Sequence, residues 1–454
     1  MLDGAEVPLI TAFLYHRGGH SDPARLSANE GKGFMSSKIY GAGFTFDDKD
    51  TRGVASPLAE MHRLVEAEPR NRDVISPYIG GAELNTSPTH AHHRHVIDYR
   101  DWPLRRELVQ AHLPTRTGGS AALRHWERTA HRVRTSVHVD LPTHGESTPE
   151  GASESPRPPD RDRSKATSAQ GTAATPWSDA NDEQRRRWLR SGIVPGDYPG
   201  PVAADWPALL QIVEQRVKPE RLGNRRETRR RRWWLFGDRQ PALFAAIAEL
   251  DRVLAISSVG QHAAFAFLPS RMVFSHALTV FALSTHAAFC ALQARPHELW
   301  ARFFGSSLEE RLRYNSSDCF DTFPFPDNWE ARTDLEAAGK TYNEHRTVLM
   351  IENDEGMTKT YNRFHDPAET GPTIQRLRDL HAAMDRTVLT AYGWNDIPTD
   401  CEFLLDYEID EEARGNKKKP YRYRWPDEVR DEVLARLLEL NAQRAAAEEQ
   451  TNLT

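Results

Sequence analysis

Two stretches concentrate side chains able to do chemistry. Residues 87–99, SPTHAHHRHVIDY, place His90, His92, His93 and His95 within six positions. Imidazoles two residues apart on a strand, as His93 and His95 would be, can share a metal ion, but a zinc site needs three or four ligands of fixed geometry. No HExxH and no Cys/His partner motif stands elsewhere in the chain. The stronger reading is a polar loop feeding the strand HVIDY, chargeable enough to neighbour a DNA backbone. Residues 216–234, RVKPERLGNRRETRRRRWW, gather Arg225, Arg226, Arg229, Arg230, Arg231 and Arg232 against only Glu220 and Glu227, and end in Trp233 and Trp234. Guanidinium groups pair with phosphate oxygens through forked hydrogen bonds, and phosphate neutralisation drives affinity by releasing counterions. Charge runs are often just the solvated face of a helix. In an acidic chain, this density points instead to nucleic acid.

A third stretch, RYNSSDCFDTFPFP (313–326), joins a polar Asn/Ser/Ser/Asp patch to Phe320, Phe323 and Phe325. It reads equally well as a capped turn with aromatic packing or as polar groups for a DNA groove. Catalytic signatures are missing: there is no GxxxxGK[ST], no GxSxG and no Asn-Pro-Pro-aromatic tetrapeptide. YGAGF (40–44) is a glycine pair of the kind found in any tight turn.

The elements that must position these groups follow from composition and periodicity. With 454 residues, two or three domains are expected. Lys and Arg total 59 against 65 acids, a formal charge of −6, so the chain has no general attraction for DNA or membrane. Cys290, Cys319 and Cys401 are far apart, which suits a reducing cytoplasm. MLDGAEVPLI lacks the pattern of a secretion signal, and the apolar run 276–292 is broken by His, Ser and Thr, so no membrane span is expected. Residues 140–182 are dominated by Pro, Ser, Thr, Gly and charge and read as a disordered insert. Helices are predicted over 56–69, with Ser56 as cap and Pro57 in the first turn, and over 241–250. Others are predicted through LQARPHELWARFFGSS, with Leu299, Trp300, Phe303 and Phe304 on its apolar face, and over 335–350. TIQRLRDLHAAMDRTVLTAYGW should form another, and so should the last helix behind Pro426, striped by Val429, Val433, Leu437 and Leu440. VPLITAFLY, HVIDY and VLAISSV read as strands, and AAFAFLPSRMVFS as two strands joined through PSR. Phe303, Phe304 and Phe323 are expected in the core. The fold class is α+β, a mixed α/β region followed by a helical C-terminal region.

Several long motifs also resemble one family in that family's order. LDGAEVPLITAFL, GAGFTFDD, PRNRDVISPYIGGAELNTSPTHAHHRHVIDY, WPALLQIVEQRVKPER, ARFFGSSLEERLRYNSSDCFDTFPFP, EGMTKTYNRFHDP and AYGW are similar to the C-terminal half of single-chain type II restriction–modification adenine-specific DNA methyltransferases of the Eco57I/MmeI-like class. The resemblance covers about 1–100 and 200–440; the segment from about 101 to 200 departs from it. It implies that residues 1–139 are the N-terminal part of a target-recognition region and that 183–330 form a DNA-binding recognition domain. The insert 140–182 lies between them, and a helical region, 331–454, follows. It implies that the histidines form a polar loop without metal. It also implies that the chain begins where the family's methylase domain would end, without the S-adenosylmethionine loop. No cofactor is then expected in this chain; S-adenosylmethionine would sit in a separately encoded methylase partner. Double-stranded DNA would be clamped by Arg225, Arg226, Arg229 and Arg231 on phosphates, with Arg271, Ser275, His276, Asn315 and Ser316 as groove-facing polar contacts. The alternatives are a non-functional 5′-truncated product, a protein-binding adaptor using the helical tail, and an enzyme of another kind such as a His-metal hydrolase.

Overall fold

The computed structural model describes residues 22–107, 175–308, 311–406 and 421–452. Two four-stranded sheets lie at its centre. In the first, β1 (Gly33–Met35), β11 (Leu278–Phe281), β7 (Arg252–Ser257) and β9 (Ala266–Pro269) run antiparallel in that order. The second has the order β10 (Val273–Phe274), β3 (Ile75–Ile79), β4 (Arg94–Ile97) and β2 (Thr45–Phe46), with β10 parallel to β3 and the others antiparallel. Among the described residues three small ladders complete the set: β12 (Ser306–Leu308), β13 (Arg311–Arg313) and β8 (Val259–Gly260); β14 (Glu402–Leu405) with β15 (Tyr421–Arg424); and β5 (Arg105–Arg106) with β6 (Ile193–Val194). The fold is mixed α and β, as expected.

β7 is buried at every position after its first and β11 at all four, the pattern of strands covered on both faces. Leu254, Phe267 and Phe281 are cross-strand partners on one face. There Phe267 meets Phe289 of helix His286–Gln293, and Phe281 meets Phe320. The turn at PSR differs from expectation. Its two strands form but do not pair: β9 joins β7, whereas β10 enters the other sheet beside β3. Unbroken apolar runs carry no alternation to say which face or partner they take. The sheets are stitched where the chain leaves β10, with Ser37 N–H donating to Phe274 O (3.0 Å) and His276 N–H to Ser37 O (2.9 Å).

Helix Leu58–Ala67 forms as its periodicity predicts, but Ser56 is not its cap. Ser56 is buried and exchanges backbone hydrogen bonds with Thr45 and Asp47, so Pro57 takes the cap position and Asp48 Oδ1 accepts from Leu58 N–H at 2.8 Å. The expected strand 7–15 and residues 108–174 of the expected insert and its flank lie outside the described residues. The far end of the insert needs correction. Trp177 packs edge-on to Tyr198 and against Trp188, and Asn181 caps helix Asp182–Ser191, so 175–182 belong to the folded body. Two tryptophan contacts repay the ordering that bulk composition counts against this stretch.

Helices Thr333–Glu352, Met357–Phe364, Pro372–Ala391 and Asp427–Asn452 pack into the same core as the first sheet, through Leu335, Tyr342, Met384, Val433 and Leu437 among others. In helix Arg295–Phe304, Trp300 is fully buried and Phe323 packs near it, but Phe303 is 40% exposed and is not a core residue. A ten-residue amphipathic pattern cannot say how far its apolar stripe reaches under the neighbouring element. Gly339 allows helices Thr333–Glu352 and His286–Gln293 to touch: a Cβ there would stand 2.2 Å from His286 O. Gly339→Ala is therefore expected to cost about 1–3 kcal/mol by forcing the helices apart. Exposed Lys340→Ala, by contrast, should stay within about 0.5 kcal/mol. Urea denaturation of the two variants checks this. Among the described residues no helix is long and apolar enough to cross a membrane.

Candidate nucleic-acid interface

The arginine run is divided by the fold into inward and outward members. Asn224 Oδ1 accepts from Arg226 N–H at 2.9 Å, closing a turn that sets the five-residue helix Glu227–Arg231. Arg230 closes the same turn by donating to the carbonyls of Asn224 and Arg225 at 2.6 and 3.0 Å. Arg221 points inward and is buried, donating to Ile39 O and Leu235 O, while burial and nearby Arg229 lower its basicity. Trp233 and Trp234 anchor the end of the run. Trp234 Nε1–H donates to Trp102 O at 3.0 Å and its ring fills the space over Gly192, where any Cβ would stand 2.3 Å away. Neither tryptophan is a surface for a base. Arg225 and Arg226 are exposed, and Arg231 is exposed in an i,i+4 pair with Glu227 at 2.8 Å. Such a pair is worth little in water and yields readily to a phosphate. Arg229 lies with its guanidinium 3.9 Å from the centre of the Tyr40 ring.

Tyr40 leads from the arginines to a cleft of about 330 Å³ beside the junction of the two sheets. Lys38, Tyr40, Tyr78, Arg94, Ser275 and His276 are among its lining residues. The crossing from β10 to β11 places Ser275 and His276 there. Ser275 is buried, its N–H donating to Ile79 O at 2.8 Å and its hydroxyl lining the cleft with Tyr78, whereas His276 is exposed. Arg94 forks onto Glu83 at 2.6 and 2.8 Å and lies over the Tyr78 ring. Burial opposes the Glu83 charge, but the Arg94 fork outweighs it and holds that carboxyl below the usual range. Asp50, also on the lining, is held low by the N–H groups of Ala55 and Arg52.

Of the sequence-predicted residues, Ser275 and His276 line this cleft and Arg229 reaches it through Tyr40. Arg271 is exposed on the turn between β9 and β10. Asn315 and Ser316 do not line the cleft. Asn315 caps the turn Ser316–Cys319, accepting from Ser317 N–H at 3.3 Å and donating to Asp318 at 3.1 Å, and Ser316 is buried against Gly33. Sequence reasoning passed over Tyr40. The available signal was YGAGF itself: a large aromatic before a glycine pair, in a turn that forces positive φ at both Tyr40 (45°) and Gly41 (146°).

The histidines divide among separate tasks. His90 Nδ1 faces Leu84 O at 2.9 Å, and desolvation with nearby Arg346 pushes it down to about 4. His92 and His95 meet edge to face, and His93 lies 3.5 Å from Glu83 and 3.8 Å from Asp47. Among the described residues no group of three or more His, Cys, Asp or Glu side chains is arranged to hold a metal ion. In the glycine pair, Gly43 is committed to packing on Arg216, where a Cβ would approach to 2.7 Å.

No protein-family model matches the chain, and no curated protein sequence does. Among solved structures, one match is the type IIL restriction-modification enzyme MmeI in complex with DNA, at 14% identity and a TM-score of 0.48. The match covers 97% of this chain and 39% of that one, so the chain spans about two fifths of that enzyme's length.

Proposed function

We propose that this chain is a DNA target-recognition module of an adenine-specific, restriction–modification type of methyltransferase, acting with a separately encoded methylase. The observation that carries the reading is the outward arginine face, Arg225, Arg226, Arg229 and Arg231, continuing through Tyr40 into a cleft that presents Ser275 and His276. Phosphate contacts by the arginines would fix register without reading sequence, and polar groups at the cleft would read base edges. Arg271 is the further candidate for base contact. Asn315 and Ser316, occupied in a cap and a packing contact, would serve by shaping their turn.

This reading places no S-adenosylmethionine on the chain: its sequence holds neither the donor loop nor the Asn-Pro-Pro-aromatic motif, and Gly43 of the glycine pair is used in packing. Methyl transfer would be the partner's chemistry, and its adenine would be flipped there. The purified chain alone is therefore expected to put no radiolabelled methyl group from S-adenosylmethionine into duplex DNA. A methylase subunit should copurify with the chain from native cells and supply that activity. Incorporation by the chain alone above a heat-killed control would overturn this division of labour.

A further inference from the structure

Tyr40 is held in a backbone conformation that side chains rarely adopt, with φ at 45°. Such a residue persists only where its surroundings impose the geometry, and sites of this kind concentrate at ligand clamps. Here the constraints are explicit. Lys38 and Asp238 exchange backbone hydrogen bonds at 2.7 and 3.1 Å on one side of the turn, and buried Arg221 holds Ile39 O at 2.7 Å. The ring packs on Gly237, where a Cβ would stand 2.1 Å from Tyr40 Cδ2, and Arg229 lies over it. Despite these supports Tyr40 stays 43% exposed at the cleft.

The cleft supplies the rest of a recognition set. Lys38 and His276 lie on its lining, and neither side chain has a partner among the described residues. Ser275 and the Tyr78 phenol add hydroxyls below them. The lining acids have partners: Asp50 accepts from the N–H groups of Arg52, Val54 and Ala55, and Asp47 accepts from that of Lys49 and lies 3.8 Å from His93. An aromatic platform backed by a guanidinium takes the face of a base, an ammonium takes a phosphate, and hydroxyl and imidazole groups take a base edge. Bases inside a paired duplex have both faces covered by their neighbours, so a recess with one platform suits a base that has left the stack. About 330 Å³ lies at the small end of ligand sites, enough for one such unit.

We infer that this cleft receives one unstacked nucleotide of the bound DNA, its base against Tyr40, its phosphate at Lys38 and its edge toward Ser275 and His276. The inference rests on the DNA-binding reading and adds a site separate from the methylase's own pocket.

The test compares a fluorescein-labelled duplex with the same duplex carrying a single-base bulge, by anisotropy, using the full chain. Wild type should bind the bulged DNA about 5- to 100-fold more tightly, the range that base–aromatic stacking supports. Tyr40→Ala should bring the ratio of the two affinities close to one, and Tyr40→Phe should keep it. Taking the ratio within each variant cancels any general loss from releasing Arg229, and the Phe variant controls for folding of the turn. With 2-aminopurine in the bulge, fluorescence should be quenched by wild type and Tyr40→Phe but not by Tyr40→Ala. Equal affinity of wild type for both DNAs, or a preference that survives Tyr40→Ala, overturns the inference and leaves duplex binding intact. Failure of wild type to bind either DNA overturns both.

Discussion

Replacing Arg225, Arg226, Arg229 and Arg231 together by alanine is expected to flatten the dependence of log K on log salt by roughly three to four units on duplex DNA. Each phosphate neutralised contributes a slope of about −0.9, and the turn presents these four side chains with little else to do. Arg225 and Arg226 are exposed, Arg231 gives up only an exposed pair with Glu227, and Arg229 lies on the Tyr40 ring. The fold should survive the change, because the inward members Arg221 and Arg230 keep the contacts that close the turn. Since phosphates carry no base identity, the loss should be nearly uniform across DNA sequences. His276→Ala or Arg271→Ala should instead change which sequence is preferred. Fluorescence anisotropy over a salt series, with exposed Arg63→Ala as a control away from the run, reads the slope directly. An unchanged slope would reduce the run to a solvated surface and remove the main physical support for DNA binding.

The second large effect is on stability. Arg295 and Asp385 form a buried ion pair that joins helix Arg295–Phe304 to helix Pro372–Ala391. The Arg295 N–H also donates to Asp385 at 2.8 Å, and its guanidinium reaches His381 at 2.8 Å and Tyr423 O at 3.3 Å. Asp385→Ala strands a charge in the core and should cost about 3–5 kcal/mol by urea denaturation. Arg295→Met combined with Asp385→Leu removes both charges and should recover most of that loss. If the double variant is as unstable as the single one, the pair is not the source of the effect. Burial opposes the Asp385 charge, yet Arg295 and His381 outweigh it and hold the carboxyl below its ordinary value. A carboxyl lowered on folding stabilises fully above its unfolded value, near 3.8, and loses that contribution as pH falls through the lower folded value. The acid sensitivity of wild type below about pH 4 should therefore be reduced in the double variant.

Features that depend on neighbours a few residues away are legible in the amino-acid order. Helix Pro372–Ala391 announces itself because its apolar residues recur at the helical period. The arginine density near 225–232 and the polar histidine loop before β4 are likewise local facts. Strand partners and side-chain exposure depend instead on long-range packing. β1 finds β11 across most of the chain, and β9 and β10, adjacent in sequence, part into different sheets, because buried strands without alternation leave partner choice to global packing. Only that arrangement brings Ser275 and His276 beside Tyr40, turns Arg221 inward and leaves Arg225, Arg226 and Arg231 facing out. Asn315 and Ser316 show the same limit from the other side. Their polarity is visible in the sequence, but whether a polar group faces solvent or caps a turn depends on what packs over it, here Gly33 on β1 from a distant part of the chain.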